Sequence, residues 1–207
     1  GLMKSITMTV FFCGFSVLTA AQKPFPLFDG KTFKGWEGNL KIFRIESGAI
    51  VGGTLSEKIA RNEFLCTKKT YKNFILKLEV KLLGGPNANA GIQIRTKRIP
   101  NHHEVAGYQA DMGKGWWGSL YDESRRRKVL SAADPAVIDK ILKPDKWNHY
   151  EIRCEGKRIR LFINGTQTVD YTEPDPKIPL KGVIAVQIHG GPPSEAWYRN
   201  IILTPLP

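Results

Sequence analysis

The stretch FILKLEV at residues 74–80 alternates apolar and polar side chains, and this pattern decides the fold class. Successive side chains of a β-strand point to opposite faces, so residues 74, 76, 78 and 80 form one apolar face. Similar segments follow one another along the chain, with Gly, Pro, Asn or Asp between them. We therefore predict an all-β domain of two packed sheets. The predicted strands are 41–47, 49–52, 63–67, 74–82, 91–95, 107–112, 147–154, 158–163, 168–171, 182–189 and 197–203.

A tight hairpin is predicted at Asn164-Gly165, between the strands 158–163 and 168–171. Asn-Gly tolerates the positive φ angles that two-residue hairpin turns require. With Thr166, the same residues match an N-glycosylation sequon, but the turn already explains them.

Residues 113–146 lack strong strand periodicity. Structureless segments of this length are uncommon in compact domains unless they are functional or disordered. We predict a loop over a binding face that includes a short helix at 135–142, with Asp134 as its N-cap.

The first 21 residues have the features of a secretory signal. Lys4 supplies a positive charge, residues 6–18 are apolar, and Thr19-Ala20-Ala21 offers small residues for cleavage before Gln22. The apolar stretch is shorter than the ~20 residues of a transmembrane helix. We expect an exported protein, periplasmic or extracellular, with one β-sandwich domain over 22–207 and no stable membrane span after removal of the leader.

The net charge of +12 is spread along the chain, apart from the run at residues 125–128. No nucleic-acid-binding motif accompanies this run, so we predict a solvated loop and no nucleic-acid partner. The cysteines beyond the leader, Cys66 and Cys154, lack the spacing of a zinc site. They either pair in an oxidising compartment or remain buried thiols.

Polar side chains follow the non-core side of four predicted strands. Alternation assigns to that side Glu79, Gln93, Arg95, Gln109, Asp111, Gln187 and His189. If these strands are neighbours in one sheet, the seven residues line one polar surface, which suits a polyhydroxylated ligand. Aromatic residues near in sequence offer a platform for a sugar ring: Tyr108, Trp116, Trp117 and Tyr121. An ordinary solvated sheet face is the alternative, and the residues alone do not decide between the two.

Short segments in a characteristic order resemble the 3-keto-disaccharide hydrolase domain family, also called domain of unknown function 1080. They lie at 27–36, 62–74, 90–95, 107–111, 118–122, 146–148, 164–165, 187–190 and 198–201. The resemblance implies an antiparallel two-sheet jelly-roll sandwich, similar to concanavalin A-like lectins and glucanases.

The resemblance also implies action on glycosides already oxidised to a ketone at sugar carbon 3. Such an enzyme needs a base for the hydrogen on carbon 2 and a donor for the enolate oxygen. For proton transfer we consider His189, Asp111 and Glu79, and for oxygen stabilisation Arg95 with Gln187. The expected substrate contacts also include Gln93, Tyr108, Gln109, Trp116 and Tyr121. A divalent cation, with ligands not identified, is a further option.

Two other classes of function are also compatible with these residues. One is a non-catalytic, lectin-like carbohydrate-binding domain, and the other is a domain whose sheet face docks a protein, because fold alone does not determine chemistry. Ordinary glucanase action is not expected, because no predicted strand carries the alternating carboxylates of the retaining mechanism.

Overall fold

The computed structural model describes residues 22–207, together with Val10 and Gly14. Apart from those two residues, the predicted signal at 1–21 lies outside the described part of the chain. Among the described residues, no helix is both long enough and apolar enough to cross a membrane.

The described chain forms two antiparallel sheets, which confirms the predicted sandwich. The first sheet has the order β13-β12-β11-β6-β15-β4-β3, with β1 paired to β15, and the second has the order β10-β9-β8-β7-β14-β5-β2. The elements are β1 Phe25–Pro26, β2 Trp36–Glu37, β3 Phe43–Glu46, β4 Ala49–Thr54, β5 Glu63–Tyr71, β6 Phe74–Leu83, β7 Asn89–Arg98, β8 Val105–Gly113, β9 Leu120–Glu123, β10 Val129–Ser131, α1 Pro135–Ile141, β11 Asn148–Glu155, β12 Arg158–Ile163, β13 Thr166–Thr172, β14 Gly182–Ile188 and β15 Ser194–Pro205.

The core lies between the two sheets and is built by the predicted alternation. On β6, in the middle of the first sheet, Phe74, Leu76, Leu78 and Val80 are buried. Alternate residues of the second sheet face them in the same core cluster. Each large aliphatic side chain buried in this way contributes about 1.5–3 kcal/mol.

The hairpin at Asn164-Gly165 is confirmed. Both residues have positive φ, and Ile163 pairs with Thr166 across the turn. The Asn164 amide donates to the Ile141 carbonyl at 2.8 Å, and its oxygen accepts from the backbone N–H of His149 at 2.8 Å. The side chain is therefore occupied in joining the turn to neighbouring elements.

The prediction of one long loop at 113–146 was wrong. The segment contains β9, β10 and α1, and only the helix was expected. Asp134 caps that helix by accepting from the Ala136 N–H at 2.9 Å, as predicted. The two strands have four and three residues, which is too short for their periodicity to be recognised.

The basic run at 125–128 is not simply a solvated loop. Arg125 and Arg126 bind the carboxylate of Asp122, and Arg126 also binds Glu173 at 2.6 Å. Both carboxylates are almost fully buried. Only the second half of the run is exposed. The run therefore neutralises buried acids.

Both cysteines beyond the leader are buried free thiols. Cys66 lies on β5 in the second sheet and Cys154 on β11 in the first. Cys154 packs in the main core between the sheets, whereas Cys66 packs in a separate small apolar cluster, so the two thiols are unpaired.

Candidate functional site

Polar residues of three neighbouring strands meet on the face of the second sheet that points away from the core. We call it the outer face of the second sheet. Gly91 on β7 pairs with Gln187 on β14 and with Asp111 on β8. Two residues along β7, on the same face, Gln93 pairs with Gln109. Side chains at paired positions lie side by side, so the register brings the four polar residues together.

The four polar side chains are nearly inaccessible to solvent. Gln93, Gln109, Asp111 and Gln187 are each at most 2% exposed. In the described part of the chain, all buried side-chain nitrogen or oxygen atoms without a hydrogen-bond partner belong to these residues. The atoms are Gln93 Oε1, Gln109 Oε1, Asp111 Oδ2, Gln187 Nε2 and Gln187 Oε1. Buried polar atoms are normally paired, so this concentration marks a place where a ligand or water completes the bonding.

A cavity of about 230 Å³ opens beside this cluster. It is lined by Asn89, Gln109, Asp111, Trp116, Tyr121, Glu123 and His189. Trp116 is 42% exposed and meets Tyr121 edge to face, with ring centroids 6.1 Å apart. Exposed aromatic faces at a polar cavity suit the apolar C–H face of a sugar, while Trp117 packs against the core instead.

Asp111 is the most deeply buried carboxyl group of the cavity. Its Oδ1 accepts from Gln109 Nε2 at 2.7 Å, while Oδ2 has no partner. Burial disfavours the charged form and raises the pKa of Asp111 to about 8, although the bond from Gln109 acts in the opposite direction. At neutral pH the group is therefore mostly protonated and able to donate a hydrogen bond.

Glu123 is a second acid of the cavity, and the sequence reasoning missed it. Burial, together with the negative charge of Glu104, raises the pKa of Glu123 to about 7. The alternation Leu120-Tyr121-Asp122-Glu123 would have placed it on the same face as Tyr121, had β9 been recognised as a strand. Asn89 was missed similarly, although it lies two positions before Gly91.

His189 follows β14 and is exposed at the cavity. Its backbone N–H donates to the Asn89 carbonyl at 3.1 Å, and its Nδ1 lies 2.6 Å from the Gly190 carbonyl oxygen. Since a carbonyl oxygen only accepts, the hydrogen of a neutral ring lies on Nδ1. Nε2 is then left free to accept a proton.

The expectation of one shared surface was wrong for Glu79. It lies on β6 in the first sheet, and its carboxylate pairs with Arg199. Alternation shows which side of its own strand a residue occupies, but it does not show which sheet contains that strand.

Arg95 and Tyr108 lie on strands of the second sheet, but their side chains do not point into the cavity. The positive φ of Arg95 breaks the alternation, and its guanidinium donates to the carbonyl oxygens of Lys72 and Gly156. Tyr108 faces the core, where its hydroxyl donates to Glu173 at 2.6 Å. Neither residue lines the cavity.

The possible divalent cation has no evident ligand set. Across residues 22–207, no group of three or more His, Cys, Asp and Glu side chains is arranged to hold a metal ion.

Several solved structures share the fold. A candidate glycosyl hydrolase from Parabacteroides distasonis is 19% identical, with 89% of this chain and 94% of that chain covered and a TM-score of 0.67. The carbohydrate-binding module CBM66 from Bacillus subtilis is 12% identical, with coverages of 81% and 93% and a TM-score of 0.56. A β-glucanase from Bacillus licheniformis is 11% identical, with coverages of 91% and 100% and a TM-score of 0.57. At such identities the likeness supports the fold alone, and it agrees with the predicted concanavalin A-like sandwich.

The sequence, rather than the structural likeness, shows the family relationship. A comparison with curated proteins gives no match. The family model of the 3-keto-alpha-glucoside-1,2-lyase-like domain matches residues 23–204, which confirms the resemblance seen in the sequence. The chain belongs to the 3-keto-alpha-glucoside-1,2-lyase-like domain family.

Proposed function

We propose that this protein cleaves 3-keto-glycosides by eliminating the group attached to sugar carbon 1. The observation that carries the proposal is the cluster of unpartnered buried polar atoms next to Glu123 and His189. The match to the family model supports the choice of an oxidised glycoside as the ligand of that cluster.

His189 is the proposed base. A ketone on carbon 3 acidifies the hydrogen on carbon 2, so a group such as imidazole is able to remove it. The free Nε2 of His189 takes this proton, and the electron pair of the C–H bond forms an enolate whose charge lies on the carbon 3 oxygen.

Asp111 is the proposed donor to that oxygen. A protonated carboxyl group at a buried site stabilises a developing negative charge more strongly than it would in water. Gln109 holds the other carboxyl oxygen of Asp111, and so fixes the direction in which Oδ2 donates. The unpartnered amides of Gln93 and Gln187 belong to the same buried cluster, although neither residue lines the cavity.

Glu123 is the proposed acid. When the enolate reforms the ketone, carbon 1 and carbon 2 become doubly bonded and the bond from carbon 1 to the leaving oxygen breaks. Glu123 supplies the proton that this oxygen needs. The products are an alcohol and an unsaturated keto sugar, and addition of water to carbon 1 then gives the free 3-keto sugar.

Turnover of methyl 3-keto-α-glucoside tests the assignment. We expect His189→Ala to lower kcat by about 10²–10⁴, the usual contribution of a positioned base, and Asp111→Ala to lower it by about 10²–10³, the usual cost of removing one donor to a developing oxyanion. His149→Ala serves as the matched control, because His149 is exposed on the first sheet and should leave kcat unchanged. Full activity of both site variants, with the fold intact, would remove the proposal.

Binding of carbohydrate without catalysis is the second candidate. It is favoured by the edge-to-face pair of Trp116 and Tyr121 at the cavity. The structural likeness to a carbohydrate-binding module adds support. Saturable binding of the 3-keto-glucoside without any product would decide for this candidate.

We also propose that residues 1–21 direct export. The polar cavity then meets its substrate outside the cytoplasm. Fractionation of cells, followed by sequencing of the N-terminus of the mature chain, tests this assignment, and a cytoplasmic protein that retains Lys4 would contradict it.

A further inference from the structure

One end of the sandwich carries an excess of exposed lysines, and we call it the basic end. It is formed by the segments 22–24, 68–73, 155–158 and 173–181. Six exposed lysines of these segments form no ion pair within the described residues 22–207. They are Lys23, Lys68, Lys69, Lys72, Lys157 and Lys181.

The contacts of Arg95 bring three of these lysines to one place. The Arg95 guanidinium donates to the Lys72 carbonyl oxygen at 2.7 Å and to the carbonyl oxygen of the residue before Lys157. Lys181 directly precedes Gly182, and a Cβ atom built on Gly182 would meet the backbone of Arg95. Arg95 pairs with no carboxylate of the described chain, so it adds a further positive charge to this end.

The acidic side chains of the same segments do not neutralise these lysines. Glu155 and Glu173 already pair with arginines. The third acid, Asp175, accepts from the backbone N–H of Lys177 at 2.8 Å, and the charge of Lys177 offsets its own. The basic end therefore keeps a positive charge that the protein itself does not balance.

The opposite end of the sandwich also has lysines, but there they alternate with acids. Residues 134–146 lead into β11 at Asn148, which pairs with Val80, whereas the far end of β11 pairs with Phe74 beside the basic end. The exposed charged residues of this segment are Asp134, Asp139, Lys140, Lys143, Asp145 and Lys146. Lysines and acids are equal in number there, so the excess of charge distinguishes one end from the other.

The described chain enters the domain at the basic end. β1 is antiparallel to β15, and Phe25 pairs with Leu203. Residues 22–24 therefore run toward the end of β15, which pairs with the start of β6. The apolar residues 6–18 of the proposed leader precede this entry. In the export proposed above, a membrane that holds the leader lies next to the basic end.

We propose that the basic end docks on a membrane surface whose phospholipid headgroups are anionic. Such a surface attracts clustered lysines through its negative potential and requires no fixed geometry from them. Lysine suits this role, because its ammonium group is a compact, strongly hydrated point charge. The inference goes beyond the proposed function, and its charge argument does not depend on that function.

The docked protein would keep its cavity accessible. Lys181 precedes β14, and His189 follows the other end of the same strand. At the rise of a β-strand the two residues are about 25 Å apart. The cavity at His189 is therefore directed away from the surface that the lysines contact.

The basic end is less suited to a nucleic acid or an acidic polysaccharide. Proteins that bind single strands or sugars usually offer aromatic rings on which a base or a sugar stacks. Tyr71 is the one aromatic residue in the four segments, and it packs against the core. The exposed part of this end thus offers charge without a stacking platform.

Cosedimentation with vesicles tests the proposal. The chain from Gln22 is used, because it contains both sheets and their whole described core, and because the apolar leader would itself insert into lipid. The vesicles consist of phosphatidylcholine alone or of an equimolar mixture with phosphatidylglycerol. The test variant combines Lys72→Gln, Lys157→Gln and Lys181→Gln. The control variant combines Lys140→Gln, Lys143→Gln and Lys146→Gln, which removes the same charge from exposed positions at the opposite end.

We expect the wild-type protein to bind the mixed vesicles but not phosphatidylcholine alone. The test variant should partition onto the mixed vesicles about 10–100-fold more weakly, while the control variant should stay close to wild type. High salt should release the wild-type protein, because it screens exposed charges.

Three results would overturn the proposal. One is a wild-type protein that does not bind the anionic vesicles. Another is equal weakening by both triple variants, which would make total charge, rather than the basic end, responsible. The third is tight binding of dextran sulfate without binding of vesicles, which would identify an acidic polysaccharide as the partner.

Discussion

The side chain of Gln109 lies across the backbone of Gly91 on the neighbouring strand. A Cβ atom built on Gly91 would lie 2.7 Å from Gln109 Cγ and 2.9 Å from Gln109 Cδ. Gly91 does not have the positive φ that favours glycine. Glycine is required here instead because a side chain would occupy the space that Gln109 fills. The space allows the Gln109 amide to reach Asp111.

Gly91→Ala should therefore damage the site more than the fold. The added methyl group has to displace Gln109, which removes the hydrogen bond that orients Asp111. We expect kcat on a 3-keto-glucoside to fall about 10–100-fold, and the free energy of unfolding to fall by about 1–3 kcal/mol. Urea unfolding and turnover measure the two effects. The double variant Gly91→Ala with Gln109→Ala should regain stability but not activity, and a fully active Gly91→Ala protein would contradict the role of this contact.

Asp111 should make the protein less stable as the pH rises. Its pKa is about 8 in the folded chain, against an ordinary value of 3.8. Between these two values the unfolded chain has lost this proton while the folded chain keeps it, so the free energy of unfolding decreases with rising pH. Each pH unit corresponds to about 1.4 kcal/mol at most, and we expect a total of a few kcal/mol between pH 4 and pH 8.

Urea unfolding of wild type and Asp111→Asn at pH 4, 6 and 8 checks this sign. The variant should gain stability relative to wild type as the pH rises. Asp170→Asn is the control, because its carboxylate is exposed and a hydrogen bond from Arg158 lowers its pKa. A constant difference between wild type and Asp111→Asn would show that Asp111 is charged in the folded protein.

The sequence predicts much of this site because the pattern of a strand is local. Alternation alone assigns Gln93, Gln109, Asp111 and Gln187 to the side away from the core, and the register then places them together. Their burial was not predictable, because alternation shows which side of a strand a residue occupies but not what packs over that side.

The errors at Glu79 and Glu123 have different physical causes. Glu79 has the correct alternation, but strand pairing in a sandwich is non-local and places β6 in the first sheet. Glu123 lies on a strand of four residues that pairs with β8. A strand this short is stabilised by pairing with its neighbour, and its sequence contains too few residues to show the alternation of apolar and polar side chains.

Glu104→Gln should shift the pH profile of activity to lower pH. The proposed acid Glu123 works only while protonated, so kcat/KM declines as the pH rises through the pKa of Glu123, about 7. Burial is the larger cause of that raised value, and the charge of Glu104 is the second. Removing the charge lowers the pKa of Glu123, and the alkaline decline then begins earlier.

The profile is measured as kcat/KM from pH 5 to pH 9 on a 3-keto-glucoside. Gln at this position retains the oxygen that accepts from Asn62 Nδ2 at 3.0 Å, so this hydrogen bond should persist. Glu155→Gln, at an exposed carboxylate on the first sheet, should leave the profile in place. An unchanged profile in Glu104→Gln would exclude Glu123 as the titrating acid.

Arg126→Ala should destabilise the protein strongly, whereas Lys128→Ala in the same basic run should not. Arg126 pairs with both Asp122 and Glu173, whose side chains are at most 1% exposed, while Lys128 is exposed. Removing one partner of a buried ion pair leaves an uncompensated charge and costs about 3–5 kcal/mol. Urea unfolding of the two variants measures this difference, and equal stabilities would show that Arg125 and Tyr108 satisfy the two acids without Arg126. Asp122 immediately precedes Glu123, the proposed acid, so we also expect the folded fraction of Arg126→Ala to have a lower kcat. In that case the basic run at 125–128 would hold the proposed acid in position.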